Sequence, residues 1–190
     1  MEILKNNNDF FTSVQKALSE IDENWDDYPG LIVVGTHAPA DVEEKLKSIQ
    51  EAREKGTPIL GICFGMQLLL VEAARNLCNL EGANTEEVNP NALDLIVTKL
   101  LNLRVGIETV RWPDGTESQE SHWHQYAFNK GYTLFLEQFY NLYFTDDILE
   151  IIRAKNGHII GTQFHPEYQS GKDGPHPVLI EFLELCRKQV

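Results

Sequence analysis

Residues 31–77 constrain the fold more tightly than any other part of the chain. Leu31-Ile32-Val33-Val34 and Pro58-Ile59-Leu60-Gly61-Ile62 are unbroken apolar runs of strand length, the pattern of strands buried on both faces. Asp41 to Glu54 between them reads as an amphipathic helix, and Met66 to Leu77 reads as the next one. Two buried strands joined through a helix are parallel neighbours with a crossover, so an α/β sheet covered on both faces is expected. A further helix is expected over residues 9–22, where Phe10, Val14, Ala17, Leu18 and Ile21 recur at helical spacing behind Asp9 as a cap.

The second half carries a different pattern. Leu93 to Val97 and Val105 to Trp112 read as strands, with Pro113-Asp114-Gly115 turning into the segment Glu117 to Phe128. Ile148 to Arg153 and His158 to Phe164 flank Lys155-Asn156-Gly157, a hairpin turn signal, and Pro177 to Lys188 reads as a closing amphipathic helix. The sum is a mostly parallel sheet with added antiparallel strands. No repeat, low-complexity tract or Pro/Gly/Ser linker divides the chain, so residues 1–190 are expected to form one unit.

Composition narrows the partners. With 29 acidic and 16 basic side chains the formal charge is −13, which argues against a surface that tracks nucleic-acid phosphates. No apolar run reaches the roughly 18 residues of a membrane span. The first residues, Met1 to Asn8, lack the apolar stretch of a secretory signal. Three cysteines, Cys63, Cys78 and Cys186, have no CxxC spacing and suit the reduced thiols of a cytoplasmic protein. Cys78 and Cys186 lie beside apolar neighbours and are expected to be buried for packing. Glu43-Glu44 and Asp146-Asp147 are expected on the solvated surface.

Chemistry enters with Gly61-Ile62-Cys63-Phe64-Gly65, which follows an apolar strand and opens a helix. That is the setting of a nucleophile elbow with cysteine in place of serine. A helix N-terminus favours the thiolate, and the Phe64 N–H is available to a developing oxyanion. About a hundred residues later comes Phe164-His165-Pro166-Glu167. If the backbone there is extended, His165 and Glu167 project to the same side, as an imidazole and the carboxylate that fixes its tautomer. Each motif alone also fits a structural turn; together they point to an activated thiol.

The pair Gly61 to Gln67 with Phe164 to Glu167 resembles the triad-type, class I glutamine amidotransferases. The resemblance narrows to the glutaminase domains of CTP synthases through Glu72 to Asn76, Gly82 to Glu87, Leu103 to Gly106, Gln163 to Ser170 and Pro175-His176-Pro177, in that order. It implies a three-layer, flavodoxin-like fold and an acyl transfer. Cys63 would attack the γ-carboxamide of glutamine, His165 would protonate the leaving ammonia, Glu167 would orient His165, and water would hydrolyse the γ-glutamyl thioester. The same resemblance makes Thr36 and Phe64 the oxyanion hole through their backbone N–H groups. Glu87 becomes the partner of the substrate's α-amino group, with Gly35 and Gln67 further substrate contacts, while Trp123 either stacks on the substrate or faces the core. It implies no cofactor and no metal. His122 and His124, two apart on a strand without a clear third ligand, are expected to pack and hydrogen-bond.

Three features depart from the family pattern. The loop Val34-Gly35-Thr36-His37-Ala38 stands where the family carries Pro-Gly-Gly-x-Gly, so Thr36 is expected to strain or reshape the oxyanion hole if that position needs positive φ. Trp123 stands where an arginine would hold the substrate's α-carboxylate, which tryptophan cannot do. Nothing resembles an ATP-binding synthase domain, and no Gly-x4-Gly-Lys-Ser/Thr loop is present. The segment before Leu31 also looks short for the family's first strands. The leading expectation is a glutaminase-type amidase whose ammonia feeds a separate synthase subunit, with a homo-oligomer compatible. The alternatives are a hydrolase of another γ-glutamyl amide, a non-catalytic regulatory relative, and a cysteine peptidase or deglycase on a related scaffold.

Overall fold

The structure, a computed structural model, describes residues 1–4, 10–170 and 174–190. The expected α/β sheet is present. Six strands run in the order β1 (Glu2–Leu4), β2 (Leu31–Val33), β3 (Ile59–Ile62), β9 (Ile159–Thr162), β8 (Ile148–Ala154) and β7 (Tyr140–Thr145). The first four are mutually parallel, and β8 and β7 continue the sheet in antiparallel sense. A second sheet joins β4 (Ala83–Thr85), β5 (Asp94–Arg111) and β6 (Glu117–Phe128).

Period-2 alternation divides the apolar strand residues between two cores. Leu31, Val33 and Ile59 face α2 (Val42–Glu54) and α3 (Phe64–Asn76), while Ile32, Val34, Leu60 and Ile62 face α1 (Phe10–Ser19) and α5 (Pro177–Arg187). A short helix, α4 (Thr133–Leu136), adds Leu136 to the first core. The three-layer flavodoxin-like expectation therefore holds. On the α2/α3 side, Arg53 meets the buried Glu72 carboxylate through Nε at 3.0 Å and Nη2 at 2.8 Å, pinning the two helices together.

Several boundaries differ from the sequence reading for identifiable reasons. The helix over residues 9–22 runs only to Ser19, and Asp9, its expected cap, lies outside the described residues. The helix expected from Met66 begins at Phe64, directly after Cys63, so the elbow is tighter than a turn of several residues. The strands expected at 93–97 and 105–112 are one strand, because β6 pairs along both parts and the extra residues of β5 are taken up in a register shift between Lys99 and Arg104. The strand expected through Phe164 stops at Thr162. Pro166 there occupies the first turn of a 3-10 helix, Pro166–Tyr168, a position its fixed φ suits. Strands β1, β4 and β7 lie outside the sequence expectations. β1 has three residues and precedes Leu31, so the segment before that strand is short but carries a strand and a helix.

Gly65 shows how close the elbow packs. A Cβ at that position would lie 1.8 Å from the Val33 carbonyl oxygen, a backbone atom with nowhere to go. Gly65→Ala is expected to cost about 3 kcal/mol or more, read as a fall in urea midpoint; an unchanged midpoint would show that β2 and α3 are not pressed together.

Candidate active site

The C-terminal ends of three adjacent parallel strands, β2, β3 and β9, converge on one spot, the usual ligand edge of an open α/β sheet. Cys63 leaves β3 there with φ 54° and ψ −111°, a strained conformation for a residue with a side chain. Its N–H donates to the Thr162 carbonyl at 2.7 Å. The thiol is 4% exposed. Phe64 opens α3, so its N–H belongs to the first helical turn, where no intrahelical acceptor exists.

His165 follows β9 and is buried, its N–H held by the Ser121 carbonyl of β6 at 2.8 Å. Nδ1 donates to Glu167 Oε1 at 2.8 Å, leaving Nε2 without a hydrogen-bond partner among the described residues. Glu167 reaches the imidazole through the 3-10 turn rather than along the extended backbone the sequence reading assumed. Burial favours the neutral ring, but the neighbouring Cys63 and Glu167 outweigh it and raise the His165 pKa above its ordinary value. The Phe10 ring stacks on the imidazole at 4.9 Å and 19°.

The loop after β2 closes the third side. A Cβ on Gly35 would stand 3.1 Å from His165 Cε1 and 3.3 Å from Cys63 Cβ, so a larger residue there would press on both. Thr36 is not among the residues with positive φ, which removes the expected strain; its Oγ1 instead accepts the Ala38 N–H at 3.0 Å and shapes the loop. A cavity of about 150 Å³ opens beside Cys63. Thr36, Phe64, Gln67, Glu87 and Trp123, all read from the sequence, line it together with His37, His124 and Tyr126. Burial raises the Glu87 pKa. Trp123 is 49% exposed, with its ring 4.8 Å from that of His37.

His122 and His124 share the inward face of β6, but only His124 lines this cavity. His124 Nδ1 donates to the Tyr126 carbonyl at 2.8 Å, so Nε2 is the acceptor facing Arg104 Nη1 at 3.2 Å. Arg104 in turn binds Glu150 Oε1 and Glu108 Oε2, both at 2.8 Å. Among the described residues no three His, Cys, Asp or Glu side chains form a group that could hold a metal. Cys186 is buried as expected, whereas Cys78 is half-buried with its sulfur 3.5 Å from the Phe135 carbonyl. Gln163 was read only as part of a motif, yet its Nε2 lies 3.7 Å from Cys63 Sγ. Its place just past the end of β9, two residues before His165, was the available signal.

A family model described as glutamine amidotransferase class-I matches residues 5–185. The chain belongs to that family. It is 36% identical to a CTP synthase of Sulfolobus acidocaldarius, over 92% of this chain and 37% of the relative. It is 35% identical to a CTP synthase of Moorella thermoacetica, over 87% of this chain and 36% of the relative. The amidotransferase chain thus spans a little over a third of the length of the curated relatives it matches. In fold it superposes on the glutaminase domain of Trypanosoma brucei CTPS with bound acivicin at a TM-score of 0.86 and 20% identity, covering 98% of this chain and 92% of that one. Among the described residues no helix is long and apolar enough to cross a membrane.

The buried histidines of this amidotransferase resist protonation. Burial holds His122 down to about 3 and His124 to about 4, against an ordinary 6.5. Below pH ~6.5 the unfolded chain takes up protons there that the folded chain refuses, so stability falls by about 1.4 kcal/mol per pH unit for each one. Glu150, raised by burial to about 7, gains its proton in the folded state first and offsets one of them. Urea midpoints are expected to fall from pH 6.5 to 5, and less steeply in His124→Gln; equal slopes would show that His124 is not held neutral.

Proposed function

We propose that this chain hydrolyses the γ-carboxamide of glutamine through a Cys63-His165-Glu167 triad and releases ammonia. The observation that carries the reading is the His165 Nδ1–Glu167 bond of 2.8 Å beside Cys63 at a strained elbow, with Nε2 left without a hydrogen bond among the described residues. Glu167 fixes the tautomer whose Nε2 accepts the thiol proton. The thiolate attacks the carboxamide carbon while the Phe64 and Thr36 N–H groups stabilise the oxyanion. His165 then passes its proton to the departing nitrogen, and ammonia leaves a γ-glutamyl thioester. Water, deprotonated by His165, attacks that thioester; glutamate departs and the thiol is restored.

Glu87 supplies the lining carboxylate that suits the substrate's ammonium, and Gln67 Oε1, buried and without a hydrogen-bond partner among the described residues, is an acceptor for a carboxamide N–H. Gly35 leaves the room in which the substrate approaches both Cys63 and His165. Likeness to CTP synthases supports delivery of the ammonia to a separate synthase partner, in pyrimidine nucleotide synthesis in the cytoplasm. A second reading, hydrolysis of another γ-glutamyl amide, is favoured by one observation: the described residues lining the cavity include Glu87 but no Lys or Arg to meet an α-carboxylate, with Trp123 in the wall.

Acivicin, the compound bound in the T. brucei neighbour, serves as the probe. Intact mass should reveal one adduct on the wild-type chain, none on Cys63→Ala, and less in the presence of glutamine. No adduct while iodoacetamide still alkylates Cys63 would overturn glutamine recognition, and suppression by a different γ-glutamyl amide in place of glutamine would select the second reading. Glu167→Gln is expected to lower kcat for ammonia release by about 10²- to 10⁴-fold with a Tm close to wild type; a loss under tenfold would remove Glu167 from the triad.

A further inference from the structure

Gln163 is fully buried and touches the sulfur of Cys63, its Nε2 standing 3.7 Å from Sγ. The neighbouring amide settles which way it faces. Gln67 Nε2 lies 3.0 Å from the Tyr126 carbonyl and 3.2 Å from Gln163 Oε1. A backbone carbonyl only accepts, so Gln67 must turn its NH₂ toward Tyr126 and spend its second N–H on Gln163. Gln163 then accepts through Oε1 and has its own NH₂ directed at the sulfur. Its backbone is held as well, by the bond from its N–H to the Glu150 carbonyl at 2.8 Å.

The other neighbour of Sγ has the opposite polarity. The Trp123 carbonyl oxygen lies 3.9 Å away; it can receive a thiol S–H but repels a thiolate. We propose that Gln163 is a catalytic residue, the amide donor that joins His165 in stabilising the Cys63 thiolate against the pull of the Trp123 carbonyl. This rests on the reading of Cys63 as nucleophile. On ionisation the proton leaves Sγ for His165 Nε2, the S–H contact to Trp123 is lost, and the sulfur takes the Gln163 N–H in its place. As the C–S bond forms, negative charge moves from sulfur to the carbonyl oxygen and the Gln163 bond weakens. Gln163 therefore governs how much thiolate is present rather than how well the oxyanion is held.

The test is the pH profile of iodoacetamide alkylation at Cys63, followed by peptide mass on the full chain. Gln163→Met keeps the bulk and removes the donor; it is expected to raise the midpoint by about one pH unit, a tenfold smaller thiolate fraction below it. Gln163→Glu puts a second acceptor against the sulfur and is expected to raise it further. Gln67→Met frees the Gln163 amide to rotate and is expected to give a smaller rise. A lowered melting temperature with an unmoved midpoint in all three variants would make Gln163 a strut and overturn the proposal; if Gln163→Met does not fold, the other two decide. His165→Asn separates the two levels. A midpoint that moves with His165→Asn but not with the glutamine variants removes Gln163 alone, whereas one that moves with neither removes the thiolate–imidazole reading and this proposal with it.

Discussion

Pairing of β3 with β9 is the constraint on which the site depends. Ile62 stands opposite Thr162, and the next N–H, that of Cys63, closes on the Thr162 carbonyl at 2.7 Å. A one-residue slip would turn every alternate side chain to the other face of the sheet. Gly61 and Gly161, opposite each other in this register, forbid the slip, because an added Cβ would stand 2.6 Å from Leu69 at the first and 2.7 Å from Met66 and Ile152 at the second. The same register that fills the two cores brings Cys63 and His165 together at the sheet edge, although about a hundred residues separate them.

The long β5–β6 arm then does for the site what the main sheet cannot. Its inward face carries Arg104, Glu120, His122 and His124, and its backbone supplies the Ser121 carbonyl to His165. Buried polar groups of this kind are costly unless paired. Arg104 bridges Glu150 of the main sheet to His124 of the arm, and His176 at the start of α5 meets Glu120 at 3.2 Å. These bonds make the arm one wall of the cavity beside Cys63. His122 stands apart, with neither ring nitrogen hydrogen-bonded among the described residues and Nδ1 4.0 Å from Glu150 Oε2.

Much of the site was legible because its motifs are local. The glycines around Cys63 belong to a strand-turn-helix whose close contacts are set within a few residues, as the Gly65 approach to Val33 illustrates. The acceptor role of Glu167 was legible from its spacing, but the path was not, since an extended segment and a 3-10 turn both bring residues two apart near one another. The strain expected at Thr36 is absent because its loop takes a different backbone path, which no side-chain identity in the loop announces. Gln163 escaped notice because a buried glutamine gains meaning only from what its two ends touch.

The sequence by itself determined the alternation of buried strands and helices, the elbow at Cys63 and the His-Pro-Glu motif, because apolar periodicity and glycine or proline sterics act over a few residues. Only the tertiary structure decided that β5 is a single strand, that His124 and not His122 reaches the cavity, and that a Gln67–Gln163 relay ends on the Cys63 sulfur. Those outcomes depend on which groups meet across strands distant in the chain, and on the requirement that each buried donor find an acceptor. Local propensity carries no record of either.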